Sequence, residues 1–230
     1  MSGGAVIIGA GSGLSASLAR ALAADGYAVT MAARNTDKLA ALAAETGART
    51  VAMDGTDIAA MDALFDGPAP RVAVYNPSAR QRGPIAELDP AEVARALEIT
   101  AFGAFLMGRA AARAMLQADP VDGHRGTILF TGASAGVKGF PLSASFAMGK
   151  FAQRGLAQSM ARELHPKGIH VAWINIDGGI SNPSRAERAD DGNDRMLNPD
   201  AIAAEYLRLI DQHRSTWSSE LTLRPWQETF

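Results

Sequence analysis

Gly9, Gly11 and Gly13 stand at alternate positions between an apolar run, Ala5 to Ile8, and a helical pattern of Leu14, Leu18, Ala21 and Leu22. Strand, glycine turn and helix together turn backbone N–H groups and a helix N-terminus toward a pyrophosphate. A bare glycine pattern is weak; in this strand-to-helix setting it is much stronger. The same glycines also suit a tight turn that needs φ > 0 and binds nothing. A dinucleotide site that prefers NAD puts a carboxylate at the end of its second strand. Here that end reads Ala32-Ala33-Arg34-Asn35, without an acid. A guanidinium fork at Arg34 suits a 2′-phosphate, so NADP(H) is expected in preference to NAD(H). Against this, surface arginines are common, and Ser12 adds no second positive charge to the glycine loop.

These residues need a scaffold, and the pattern supplies one. Strand candidates at Ala5–Ile8, Val29–Ala33, Thr50–Met53, Arg71–Tyr75, Thr127–Thr131 and His170–Ile176 alternate with helical stretches. Asn35 is placed to cap a helix to Thr46, with Leu39, Leu42 and Ala43 as its inward stripe. A short helix is expected from Asp57 to Phe65. Asp89-Pro90 opens a long one to about Ala118, with Glu92 completing a capping box and a bend near Gly103. Ser143–Leu164 reads as another long helix, stopped at His165-Pro166. Asn198-Pro199 opens a last one to about His213, and Glu220–Leu223 suits a short edge strand. The pattern predicts an α/β fold, one doubly wound parallel sheet with helices on both faces. The whole chain, 1–230, reads as one domain. Residues 178–198 are polar, aperiodic and long for a loop, as expected of a lid.

Composition excludes several classes. Of 230 residues 47% are hydrophobic and 20% charged, ordinary for a globular protein. A net charge of −2 gives no case for nucleic acid or an anionic membrane. There is no cysteine, so disulfides and thiolate chemistry drop out. No apolar run reaches membrane-span length, and the first strand begins too early for a signal peptide, so a cytoplasmic protein is expected. His124, His165, His170 and His213 lack metal-ligand spacing and read as loop or helix-end residues; no metal is expected.

With these residues in view, the chain resembles the short-chain dehydrogenase/reductase family over essentially its whole length. The family's TGxxxGxG motif is matched by Ile8-Gly9-Ala10-Gly11-Ser12-Gly13-Leu14-Ser15, with Ser15 in place of the third glycine, where it should crowd helix-to-strand packing slightly. The resemblance implies a Rossmann domain of about seven parallel strands. It puts Gly9, Gly11, Ser12, Gly13 and Leu14 on the phosphates, with Arg34 and Asn35 nearby. Asp54, followed by Gly55, would hold the adenine, and Asn76 and Pro77 would meet the ribose region. Gly179 and Ile180 would close over the nicotinamide. It also implies a small-molecule substrate and a homodimer or homotetramer packed through the long helices.

The family's catalytic set is Asn, Ser, Tyr and Lys, the last two as YxxxK on one helix face. Lys150 stands, but the tyrosine position is Phe146, which has no proton to give. Thirteen residues earlier, at the serine position, stands Ala133, with Ser134 next to it; the asparagine position is Thr100. Losing a positioned general acid typically costs about 10²–10⁴-fold. An iminium ion or an activated C=C bond, needing little protonation, remains reducible. Ser134, Ser143, Ser145 or a water on Lys150 are the candidate proton sources, though serines favour caps and turns. The alternative is a catalytically inactive cofactor-binding, regulatory or partner-subunit protein. Phe102, Phe105, Leu106 and Met107 read as core or helix–helix contact. The aromatic tail, Trp217, Trp226 and Phe230, reads as a segment docked on the core or on a partner.

Overall fold

The computed structural model describes residues 3–182, 184–189 and 192–227. Seven parallel strands form one sheet: β1 (Gly4–Ile8), β2 (Ala28–Ala33), β3 (Arg49–Ala52), β4 (Val72–Tyr75), β5 (Gly126–Thr131), β6 (Ile169–Ile176) and β7 (Glu220–Leu223). Their order is β3-β2-β1-β4-β5-β6-β7. β4, β5 and β6 are buried throughout, whereas β3 and β7 at the edges are half exposed. This is why the central strands are mostly apolar on both sides: a parallel sheet covered on both faces offers no solvated side, and Thr127, Thr131, His170 and Asn175 are their buried polar exceptions.

Alternate side chains point to opposite faces. Ala5 and Ile7 of β1 join a core with α1 (Leu14–Ala24), α2 (Ala40–Thr46) and α7 (Pro199–Ile210). Val6 and Ile8 join the other core, with α3 (Ile58–Leu64), α5 (Gly103–Gln117) and α6 (Ala144–Leu164). Asp57 caps α3 through Ala60 N, and Asn198 caps α7 through Asp200 N and Ala201 N. Such caps contribute about 1 kcal/mol each.

Several local expectations are corrected. Asp89 caps α4 (Pro90–Leu97) through Ala91 N, but Glu92 accepts from Gln81 Nε2 at 3.1 Å instead of closing a capping box. Asn35 does not cap α2; its side chain accepts from Asp37 N, and a 3-10 turn at Asp37–Leu39 comes first. α7 stops at Ile210 and a 3-10 turn, Arg214–Thr216, follows. Leu106 and Met107 are core, but Phe102 and Phe105 are 41% and 43% exposed and stack on each other. His170 lies fully buried inside β6, its ring parallel to Trp217 at 4.9 Å. Trp226 is 79% exposed; Phe230 lies outside the described residues.

Within the continuous helical run Pro90–Gln117, Glu98–Phe102 forms a π turn immediately before Gly103. By length and composition alone this run could cross a membrane, contrary to the sequence expectation, but half of its most apolar window is buried in the protein. Ala104, Leu106, Met107, Ala110, Ala111 and Met115 pack into the second core.

Candidate active site

The strand order reverses between β1 and β4, and two adjoining clefts open at the carboxyl ends of the strands there. That crevice is where open α/β sheets bind ligands. The first cleft, ≈ 790 Å³, is lined by Gly9, Gly11, Arg34, Asn35, Lys38, Asp54, Gly55, Asn76, Pro77 and Arg95, among others. Gly9 has φ +80, and a Cβ there would lie 2.6 Å from Pro77 Cγ. Only glycine takes that conformation at that approach. The N–H groups of Gly9 and Ala10 both donate to Ala32 O, so Gly9 shapes the turn without offering a free donor. Gly13 is the N-cap of α1 and makes no side-chain cap, and no acid stands in the first turn. The helix N-terminus therefore keeps its positive end without an acid to offset it, two residues beyond Gly11, the last residue of the turn to line the cleft. Ser12 is exposed at the tip of the turn, and the Leu14 side chain packs into the core.

Ser15 does not merely crowd the turn. Its hydroxyl donates to Gly9 O at 3.1 Å and accepts from Asn76 Nδ2 at 2.5 Å, tying the glycine turn to the end of β4. Asp54 Oδ1 accepts from Thr56 N and Thr56 Oγ1, and Oδ2 accepts from Arg95 Nη2 at 2.8 Å. The Thr56 contacts, with Arg95 beside them, hold its carboxyl below the usual range against the opposing effect of burial. Arg34, Lys38 and Arg185 then stand as the cations of this cleft that no carboxylate meets among the described residues. Lys38 supplies the second positive charge that the glycine loop lacks. Its position four residues after Arg34 is the signal that could have revealed it.

The second cleft, ≈ 510 Å³, is lined by Ala133, Ser134, Ser143, Phe146, Lys150, Gly179 and Ile180, among others, and shares Asn76, Ser78, Ala79 and Arg185 with the first. Phe146 and Lys150 lie on one face of α6, as residues four apart must. Lys150 is fully buried and faces no carboxylate; its Nζ donates to Thr131 O at 2.5 Å and to Gln153 Oε1 at 3.2 Å. Burial pushes its ammonium down to about 7. Gln153 Nε2 in turn donates to Thr100 O at 3.3 Å, a buried chain from the π turn to the lysine that the sequence reading missed. Thr100 Oγ1 accepts from Ala79 N, so Thr100 braces the loop after β4 and is not among the cleft-lining residues.

The serines divide. Ser134 lines the cleft beside Asp177, whose carboxylate accepts from Arg224 Nε at 2.9 Å. Burial opposes ionisation of Asp177, but Ser134 and Arg224 hold it below the usual carboxylate range. Ser145 exchanges hydrogen bonds with the Gln81 backbone. Ser143, the N-cap of α6, makes no cap bond and lines the cleft. Above Phe146 lies the Arg80 guanidinium, 4.1 Å from the ring centroid, within cation–π range. The 178–198 segment is tied at its base by Leu197 N donating to Gly179 O and Ser181 N to Leu197 O. It brings Asn182 against Gly13, and Arg185 and Arg188 to the second cleft. Nothing in a linear pattern marks these arginines, because the loop that carries them has no period.

A short chain dehydrogenase model matches residues 4–191. The chain is 32% identical over 205 residues to an L-2,3-butanediol dehydrogenase of Corynebacterium glutamicum, covering 79% of this chain and 78% of that one. A crystal structure of a short-chain dehydrogenase from Rhodopseudomonas palustris superposes with TM-score 0.81 at 35% identity, covering 96% and 98% of the two chains. A metagenomic short-chain oxidoreductase in complex with NADP does so with TM-score 0.80 at 27% identity, covering 96% of each. With the parallel sheet, the glycine turn at its switch point and Lys150 on α6 already in place, these likenesses establish that the chain belongs to the short-chain dehydrogenase family.

Proposed function

We propose that the protein is an NADP(H)-dependent oxidoreductase acting on a small molecule, with a proton supply that does not come from a tyrosine. The observation that carries this is the pair of joined clefts: a nucleotide-sized one with Arg34 and Lys38 opposite the glycine turn, opening onto one floored by Lys150 and Phe146. A 2′-phosphate near Arg34 and Lys38 would meet two cations and no free carboxylate, which favours NADP over NAD. The NADP-bound relative adds support. Gly11, Gly13 and the α1 N-terminus would take the pyrophosphate, Asp54 the adenine side, and Asn76 the ribose region. The nucleotide, when bound, supplies a hydride.

The chain's own residues then position and protonate. Lys150, with its ammonium near neutrality, can hold or release a proton beside Thr131 O. Ser143 offers a hydroxyl at the mouth of the same cleft. With Phe146 inert and Ala133 lacking a hydroxyl, the site suits substrates that need little protonation. The exposed Phe102, Phe105, Met148 and Phe151 on α5, α6 and the π turn suit a homodimer or homotetramer packed through these helices.

A fluorescence titration with NADPH and NADH in parallel tests the reading. We expect NADPH to bind about tenfold more tightly, followed by turnover of iminium, enone or carbonyl compounds. Binding without turnover across that panel would favour a cofactor-sensing protein; no binding of either nucleotide would overturn the proposal.

A further inference from the structure

We propose that the second cleft takes an anionic substrate, whose carboxylate or phosphate group is held by Arg80 and Arg188, with the Phe146 ring as the platform that presents Arg80. This rests on the reading of that cleft as the substrate site. The charge census supports it first. Arg80, Lys150, Arg185 and Arg188 line the cleft, and no acidic residue does. Six arginines elsewhere meet a carboxylate: Arg20 with Glu45, Arg95 with Asp54, Arg109 with Asp62, Arg154 with Glu220, Arg208 with Glu205 and Arg224 with Asp177. Among the described residues Arg80, Arg185 and Arg188 make no such pair.

The geometry supports it second. Arg80 leans on Phe146 and makes no hydrogen bond to a carboxylate, so its fork of donors is left for a ligand. Burial, then the charges of Arg82 and Arg188, hold it below the usual guanidinium range, and Arg188 lines the same cleft. Like charges brought together without a counterion repel; an anion between them removes that repulsion and gains charge-assisted hydrogen bonds. Arg80 and Arg188 line the second cleft only, whereas Arg185 borders both and is free to serve the nucleotide. The ring at position 146 thus has a purpose without a hydroxyl: it orients a cation.

Binding without turnover is the cleanest test. The protein, alone and saturated with NADP⁺, is titrated calorimetrically with two matched pairs: levulinate against methyl levulinate, and dihydroxyacetone phosphate against dihydroxyacetone. We expect the anionic member of at least one pair to bind about ten- to a hundredfold more tightly; the pair that responds tells carboxylate from phosphate. Arg80→Gln and Arg188→Gln should each remove most of that preference, with the NADP⁺ Kd unchanged. Phe146→Leu should weaken it severalfold and Phe146→Tyr should keep it. Equal binding of both members of both pairs, or a preference that survives the Arg80→Gln/Arg188→Gln double variant, would overturn the proposal. So would an Arg80→Gln variant that weakens NADP⁺ and not the anion. If NADP⁺ fails to bind while the unloaded protein keeps the arginine-dependent preference, the oxidoreductase reading falls and anion recognition stands.

Discussion

The two clefts meet at Asn76, Ser78, Ala79 and Arg185 yet are built differently. The first is shaped mostly by backbone: Gly9 at φ +80 against Pro77, the α1 N-terminus, and the Asn76–Ser15–Gly9 chain. The second is furnished by side chains from α6, the loop after β4 and the 178–198 segment. Backbone architecture tolerates few substitutions, because a Cβ in the wrong place collides with main chain. Side chains projecting into an open cleft can be exchanged while the cleft remains. Hence the first cleft is set by the glycine turn, and the second carries Phe146 and Ala133 in its lining.

The contrast can be sharpened by experiment. The largest effect is expected in the side-chain half. Phe146→Tyr, four residues from Lys150, should raise NADPH-dependent reduction of a simple ketone by about 10²–10⁴-fold. An unchanged rate would mean that more than one side chain separates this cleft from a carbonyl reductase. In the backbone half, Gly9→Val should abolish detectable NADPH binding and cost about 2–4 kcal/mol in urea unfolding, since a β-branched side chain meets both a positive φ and Pro77.

Lys150 gives a pH test. Its folded pKa, about 7, lies below the unfolded value near 10.5, so between these limits the unfolded chain binds the extra proton. Stability should therefore rise with pH from about 7 toward 10, by up to about 1.4 kcal/mol per unit. Lys150→Met should remove that rise; parallel profiles for the two proteins would place the lysine in a wetter setting. Arg34→Gln and Lys38→Gln should each lower the NADPH-over-NADH preference about threefold, and the double variant should remove it, read by fluorescence titration. The smallest effect is expected at Ser15→Gly, about 1 kcal/mol in urea unfolding, from the loss of two hydrogen bonds between the turn and β4.

Much of this was legible in one dimension. The buried strands announced themselves because β4, β5 and β6 are mostly apolar on both faces, and β7 was visible as Glu220–Leu223. Asp57, Asp89 and Asn198 marked helix starts by the donors they satisfy. Glu92 was misread as a capping-box partner because Gln81, eleven residues away, competes for its carboxylate. Phe102 and Phe105 share a helical pattern with core residues, and only the packing shows that they face outward.

Sequence alone determined the alternation of strands and helices, the glycine turn that feeds α1, and a side chain at Phe146 with no proton to give, because each depends on local periodicity or on one residue's chemistry. Tertiary structure alone decided that Ser134 lies beside Asp177, that Gln153 links Lys150 to Thr100, and that Arg80 lies on Phe146 in the cleft that Arg188 also lines. Those partners are separated by as many as a hundred residues in the chain, and no local rule relates them. Their charges and hydrogen bonds act through space, across a cleft that exists only once the sheet has formed.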